Sequence, residues 1–328
     1  MANKKPRNPI LTALREASQD ERKAVELFEA RRFRDGAACP RCGAVDVYQM
    51  RDRKTGEREK NWRWRCRGCK KMFTVRTGTI LEESRLPLTV WVYAYWKACS
   101  SKKGISALQI SRECEISYKT ALYLMHRIRY AMLEDPSDGP KLSGTVEVDE
   151  TFVGGKPRHS MRTKIHPITG ERTQYLPASA VPGGSPKIPV VALVERGGKA
   201  RVRQIERVDR ESLGGAVHEL VEGGARIHTD ENPSYRHLGA RYQHESVNHT
   251  KKEYVRGDVT TNSVEGFFSL IKRGVYGTFH SVSKHHLHRY LAEFEFRYNH
   301  RKLDDGARTL AAIDGGEGKR LLYEGPVS

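Results

Sequence analysis

A multidomain architecture is predicted, with a small metal-knotted module and a helical region ahead of a mixed α/β domain, and three observations carry that expectation. Two Cys-x-x-Cys pairs lie in a short basic stretch near the N-terminus. A region of helical periodicity follows, broken by a three-residue turn. Beyond the linker EDPSDGP, short β-branched runs come first and helical stretches are interleaved and last, the order of a mixed α/β domain. At 328 residues the chain has room for one sizeable core plus small modules, because single domains run from about 50 to 250 residues.

Residues 1–35 are charged, with Leu11, Leu14, Val25 and Leu27 at helical spacing and no glycine or proline between Leu11 and Asp35. They predict an N-terminal helical segment. Residues 36–80 change character: Gly36, the cysteine pairs, the alternating NWRWRC and KMFTVRTGTI predict short strands around a metal. From Leu86 to Leu133 the pattern turns helical, opening at Pro87. Residues 143–300 form the α/β domain, with strands expected at GTVEVDE, KIPVVALVE, ARVRQIE and ARIHTD and helices at 210–222, 259–273 and 283–300. The segment from Gly154 to Pro189 holds six prolines and six Lys or Arg against one Glu, and predicts a long basic loop. Residues 301–328 read as a weakly ordered C-terminal tail.

Fifty-eight Lys and Arg against 40 Asp and Glu leave a net charge of +18. An excess of that size calls for a polyanion, and nucleic acid fits better than a membrane surface. No apolar run approaches the roughly 18 residues that span a bilayer, so a soluble, cytoplasmic, nucleoid-associated protein is expected. Six cysteines are too sparse for a disulfide framework. Cys99 and Cys114, outside the pairs, read as small buried hydrophobes.

Cys39 and Cys42, then Cys66 and Cys69, are two thiolate pairs that can complete a tetrahedron around one ion with no open position. Such a site is structural, and the spacing predicts a zinc ribbon. Residues 51–76 carry eleven Lys or Arg against three acidic residues, with Trp62, Trp64 and Phe73 interleaved. Arg63 and Arg65 flank Trp64 there. The combination suits phosphate contacts with aromatic stacking against bases, although at least one Trp is expected to pack the small core.

SALQISREC, the turn EIS and YKTALYLMHRIRYAM predict a helix-turn-helix, with Leu108, Ile116, Leu122, Met125 and Ile128 as the packed seam. Ser117, Tyr118, Lys119, Thr120 and Tyr123 would then open the second helix toward a major groove.

Two aspartates close predicted strands: Asp149 in VEVDE and Asp230 in RIHTD. A strand-end aspartate is usually a turn or cap residue, so the pair gains meaning only with a third acid. Glu265, in TTNSVEGFFSLIKRG, supplies it. Its helix has an apolar stripe of Val264, Phe267, Phe268, Ile271 and Val275, and Asn262, Glu265, Ser269 and Lys272 share the polar face beside it. Glu147 and Glu150 flank Asp149 and are set aside, both being expected to point to the opposite face of the strand.

The run from VEVDETFVGG through HTDENPSY to NSVEGFFSLIKRGVYGTFHSVSKHHLHRYLAEFEFRYNHR resembles the insertion-sequence transposases of the ISXO2-like group, and CPRCG and CRGCKKMF match that group's zinc ribbon. The resemblance covers about residues 30–300. It implies a zinc ribbon and helix-turn-helix followed by an α/β RNase-H-like catalytic domain, with Asp149 on the first strand, Asp230 on a later one and Glu265 on a helix behind them. It implies a DNA transposase that cuts and joins strands at one site, water first freeing a 3′-hydroxyl that then attacks a target phosphate. Asp149, Asp230 and Glu265 would hold Mg²⁺ or Mn²⁺, with Glu265 chosen over Asn262 because a carboxylate is the better hard ligand; Asn262 is given a supporting role. Lys272, with Arg273, would position phosphates. The partners implied are double-stranded transposon ends and target DNA, bound by a homo-oligomer, since two ends must be brought together.

His280, His285, His286 and His288 are read as DNA-facing or solvated, and Leu287, Tyr290, Leu291, Phe294 and Tyr298 as core packing. Two other readings keep the same residues. A non-enzymatic zinc-ribbon and helix-turn-helix regulator would bind DNA without cleaving it, and a general nuclease would cleave without joining.

Overall fold

In the computed structural model, which describes residues 8–134, 139–154, 162–165, 170–175, 187–251 and 253–322, the chain falls into two units: Met1–Gly139 with Arg289–Ser328, and Pro140–His288. Capping residues mark most helix starts. Asn8 accepts hydrogen bonds from the Ile10 and Leu11 amides and opens α1 (Pro9–Ala17), and Asp20 accepts from Lys23 at the head of α2 (Glu21–Arg32). A three-stranded antiparallel sheet follows, β1 (Val47–Gln49), β2 (Trp64–Cys66) and β3 (Met72–Phe73).

The next helix, α3 (Leu88–Ser100), starts after Pro87, which offers no side-chain cap. Glu21 does that work from α2, accepting from the Leu88 and Thr89 amides at 2.8 and 3.1 Å. Ser106 caps α4 (Ala107–Glu113) and Ser117 caps α5 (Tyr118–Ala131).

In the second unit, β4 (Thr145–Val153), β7 (Ile188–Glu195) and β8 (Ala200–Gln204) pair antiparallel. Between β4 and β7 lies the small hairpin of β5 (Arg162–Ile165) and β6 (Arg172–Tyr175). After β8 come α6 (Arg210–Leu220), β9 (Arg226–Thr229) and β10 (Gln243–Ser246), with β9 and β10 parallel to β4, so the five-stranded order is β10-β9-β4-β7-β8. A short hairpin, β11 (Val255–Arg256) and β12 (Val259–Thr260), leads into α7 (Asn262–Gly274). Val146, Val148, Val191 and Leu193 face Leu213, Val217, Ile227 and Tyr235 in one core, while α7 packs against β4 and β7 through its own buried Val264, Phe267, Phe268 and Ile271.

The chain returns to the first unit along α8 (Leu287–Asn299) and α9 (Asp305–Asp314). The core there combines Leu14, Phe28, Trp91, Tyr95, Met125 and Ile128 with Phe296, Ala312 and Ile313. α8 also buries charge: Arg129 and Glu293, 1% and 0% exposed, pair at 2.6 Å, and Arg297 joins them on the same carboxylate, so the buried anion is held by two cations.

Three expectations change. The weakly ordered tail is corrected: residues 305–314 form α9, capped by Asp304 and packed on α3. Leu108 leaves the expected seam, being 52% exposed, because a helix that starts at Ala107 turns Ala107 and Ile110 inward instead. Part of the expected basic loop is the β5–β6 hairpin, and the rest of it, residues 155–161, 166–169 and 176–186, lies outside the described residues. Among the described residues, no helix is long and apolar enough to cross a membrane.

Candidate metal centres and catalytic site

The four cysteines of the predicted ribbon converge. Cys39 and Cys69 Sγ atoms lie 3.7 Å apart and those of Cys42 and Cys66 3.6 Å apart, and all four fall within 4.8 Å of one another. Four thiolates about 2.3 Å from a shared ion sit close to 3.8 Å apart at the corners of a tetrahedron, so the residues fit a four-sulfur metal site. Below it, Trp64 stacks on Phe73 with centroids 6.3 Å apart and meets Phe33 edge-on. The Trp64 indole donates to Glu29 at 2.6 Å, and Arg58, paired with Glu29, lies over both Trp62 and Trp64. The expected packing of at least one Trp in the small core is found: Trp64 and Phe73 build the core of the module, while Trp62, half-buried, packs against the larger core of its unit. Arg65 is exposed, and Arg63 is tied to Glu59.

At the start of α5, Tyr118 and Lys119 are exposed, and the Ser117 hydroxyl is committed to the cap. Tyr123 donates its hydroxyl to the Leu321 carbonyl at 2.5 Å.

The second unit holds the acidic cluster. Asp149 lies midway along the central strand β4, not at its end as expected, because the strand runs on against β7 as far as Val153. Asp230 directly follows β9, and the parallel pairing of β9 with β4 brings the two aspartates together. Among the described residues, Asp149, Glu150 and Asp230 offer carboxylate oxygens that all lie within 4.8 Å of one another. Like charges held this closely resist ionisation. Burial pushes the Asp149 carboxyl up to about 7, helped by Glu150, Asp230 and Glu265. Burial, with Glu150 and Glu231 beside it, raises Asp230 as well. Carboxylates assembled this closely fit a divalent metal through the hardness of their oxygens.

Glu150 belongs to this cluster although it was set aside, and the expectation that both flanking glutamates face away from Asp149 is corrected. Side chains alternate along a strand, so Glu147, two residues away, shares the face of Asp149, and only Glu150 starts on the other. Glu150 reaches the cluster by binding the loop after β9: it accepts from Asn232 Nδ2 at 2.7 Å and from the buried Tyr235 hydroxyl at 2.5 Å. Glu147 is fully buried against the start of α7. Alternation read strictly would have found it; no local signal marks Glu150.

Glu265 stands beside this trio, near enough to raise Asp149, and is not one of the three. Its Oε1 accepts from the Thr261 hydroxyl at 3.0 Å and faces His249 Nε2 at 3.8 Å. His249, which no sequence motif singles out, lies tilted against Tyr254 with ring centroids 5.3 Å apart. Asn262 is exposed in the first turn of α7, and Lys272 and Arg273 are exposed in its last. His280, His285 and His288 are exposed, and His286 is half-buried.

Comparison with known proteins agrees with both modules. The ISXO2-like transposase domain matches residues 141–299, and the transposase zinc-ribbon domain matches residues 19–72. An uncharacterized protein in transposable element ISH50 of Halobacterium salinarum is 30% identical over 283 residues, 84% of this chain and 90% of that protein. Among solved structures, a pre-cleavage Mos1 transpososome gives 12% identity and a TM-score of 0.26 over 66% of this chain and 75% of that one. A Mos1 mariner paired end complex with Mn gives 11% and 0.26 over 63% and 70%. Scores that low do not establish a common fold.

Proposed function

We propose, from the premise that this chain belongs to the ISXO2-like transposase family, that it is a metal-dependent DNA transposase that recognises the ends of its own insertion sequence and performs strand cleavage and strand transfer. The observation that carries the proposal is the convergence of Asp149, midway along β4, with Asp230, at the exit of the parallel strand β9, and the packing of the Glu265 helix against β4. An RNase-H-like reading of the domain is supported by that arrangement: the first acid on the central strand, the second at the exit of its neighbour, the third on a helix across the sheet.

Asp149, Asp230 and Glu265 are the proposed ligands of Mg²⁺ or Mn²⁺. Bound there, such ions supply Lewis acidity toward the phosphoryl oxygens and the leaving oxygen. A water oxygen attacks phosphorus at the transposon end, the P–O bond to the terminal 3′ oxygen breaks, and a 3′-hydroxyl is freed. That hydroxyl then attacks a target phosphate and displaces the target's own 3′ oxygen. Lys272, on the face of α7 that carries Glu265, and Arg273 beside it orient phosphates as point charges. Asn262 supports the site from the first turn.

End recognition is assigned to the first unit. The cysteine tetrad holds Zn²⁺, α4 and α5 act as a helix-turn-helix, and Tyr118 and Lys119, with Arg63 and Arg65 of the ribbon, contact DNA. Synapsis of two ends calls for a homo-oligomer on DNA.

The test incubates the protein with Mg²⁺ and labelled DNA carrying the ends that flank its gene, beside Asp149→Ala, Asp230→Ala and Glu265→Ala. Cleavage and joining by the parent, lost in each variant, is the expected result. End binding without cleavage would make the protein a regulator, and cleavage without joined product a nuclease.

A further inference from the structure

The helix that carries Glu265 lacks a cap of its own. Its N-cap residue, Thr261, makes no side-chain bond to the first-turn amides, and its hydroxyl donates to Glu265 instead. Donors at a helix start must be satisfied elsewhere; here the Thr260 hydroxyl accepts from the Asn262 amide at 3.2 Å, and a carboxylate from the central strand takes the next two. Glu147 Oε2 accepts from the Ser263 amide at 2.6 Å and the Val264 amide at 3.2 Å, while Oε1 accepts from the Ser263 hydroxyl at 3.1 Å.

Glu147 is 0% exposed, so this is a desolvated, charge-assisted contact, further favoured by the positive end of the helix dipole. Arg196 compensates the charge, with Nη2 and Nε 3.0 and 3.2 Å from Glu147 Oε1. Arg196 is held in turn by the Asp258 carbonyl and by His228 Nδ1, on the strand residue paired with Glu147. The carboxylate is therefore fixed from both sides.

Two residues along the same strand, on the same face, is Asp149. One buried side chain thus binds the strand that bears the first acid to the helix that bears the third. We propose that Glu147 is a positioning residue for the metal site: by capping α7 from β4 it sets the placement of Glu265 relative to Asp149. It touches neither substrate nor metal. The proposal rests on the reading of Asp149 and Glu265 as ligands, and its test is arranged to separate the two.

Glu147→Ala removes the cap, and Glu147→Gln keeps an acceptor oxygen for the amides. In the metal-free protein, hydrogen exchange at Ser263 and Val264 is expected to accelerate in Glu147→Ala and to stay near the parent in Glu147→Gln. Mn²⁺ affinity by isothermal titration is expected to fall about tenfold to a hundredfold in Glu147→Ala, the range seen when groups that orient ligands are lost, with recovery in Glu147→Gln. The Mn²⁺ concentration for half-maximal cleavage should rise in parallel. A folded Glu147→Ala that binds Mn²⁺ like the parent overturns the proposal, whatever its melting temperature. If that variant does not fold, Glu147→Asp decides, because it keeps the charge beside Arg196 but withdraws the carboxylate from the amides; parental Mn²⁺ affinity in it is equally fatal. Asp149→Ala is the control. Unchanged Mn²⁺ affinity there sinks the metal-site reading itself, whereas lost affinity there with none lost on removing the cap sinks the role of Glu147 alone.

Discussion

Asp149 carries the sharpest consequence of single-residue chemistry. Burial and three neighbouring carboxylates raise it to about 7, so between the ordinary carboxylate range and pH 7 the folded protein binds a proton that the unfolded chain has released. Stability of the metal-free protein therefore falls as pH rises through that window. A divalent cation must displace the same proton, so Mn²⁺ affinity should climb from pH 5.5 to about 7 and level off above it. Calorimetry in two buffers of different ionisation heat would count close to one proton released per site near pH 6; a pH-independent affinity would remove the cluster from consideration as the metal site. Asp149→Asn should abolish the linkage along with tight binding. Tyr235 gives a second prediction at this scale. Its buried hydroxyl donates to Glu150 and so ties the loop after Asp230 to β4. Tyr235→Phe leaves a partly buried carboxylate short of one donor, and should cost about 1 to 3 kcal/mol in chemical denaturation. A loss below a few tenths would mean that Asn232 alone holds that loop.

At the scale of elements, the cysteine module depends most on what it binds. Its strands are two or three residues long, too short to hold a sheet together unaided, and its apolar core is little more than Phe73, Trp64 and Phe33 around the buried cysteines. A strong chelator should therefore melt this module, with loss of tryptophan near-UV signal, while the second unit keeps its far-UV spectrum. Retention of the tryptophan signal after complete metal removal would show that Glu29, Arg58 and the aromatic stack suffice. The cysteine spacing was readable in the sequence because ligand number and separation are local properties. The direction of Trp64 was not, since alternation places it on one face of a strand without saying which face meets α2. Leu108 illustrates the same limit: its periodicity suited a seam, but the Ser106 cap fixed the helix phase and put Ile110 inward. The two Asp-bearing strands were legible one by one, although β4 runs four residues past Asp149 to Val153. Their parallel pairing, which brings Asp149 and Asp230 together and admits Glu150, belongs to contacts distant in sequence.

For the whole molecule, the path of the chain matters more than its order of motifs. It leaves the first unit at Gly139 and returns at Arg289, so the C-terminal residues complete a core begun at the N-terminus. Glycines at 306, 315 and 316 mark close packing in the segment expected to be a tail. A Cβ at Gly306 would meet Ile10 Cγ2 at 2.8 Å, and one at Gly315 the Ala131 carbonyl oxygen at 2.5 Å. Ala312 and Ile313 are buried against the N-terminal helices and α3, and Asp314 pairs with Arg31 and Arg34. Deleting residues 301–328 should thus act at a distance in sequence, destabilising the first unit and abolishing DNA binding while the unit spanning residues 140–288 retains Mn²⁺ binding. Ile313→Ala is the milder version, with an expected loss of about 2 to 5 kcal/mol from the cavity it leaves. Limited proteolysis reads both variants: cleavage should appear first between residues 8 and 134. Protection of that region in the deletion variant would mean that its helices pack without α9.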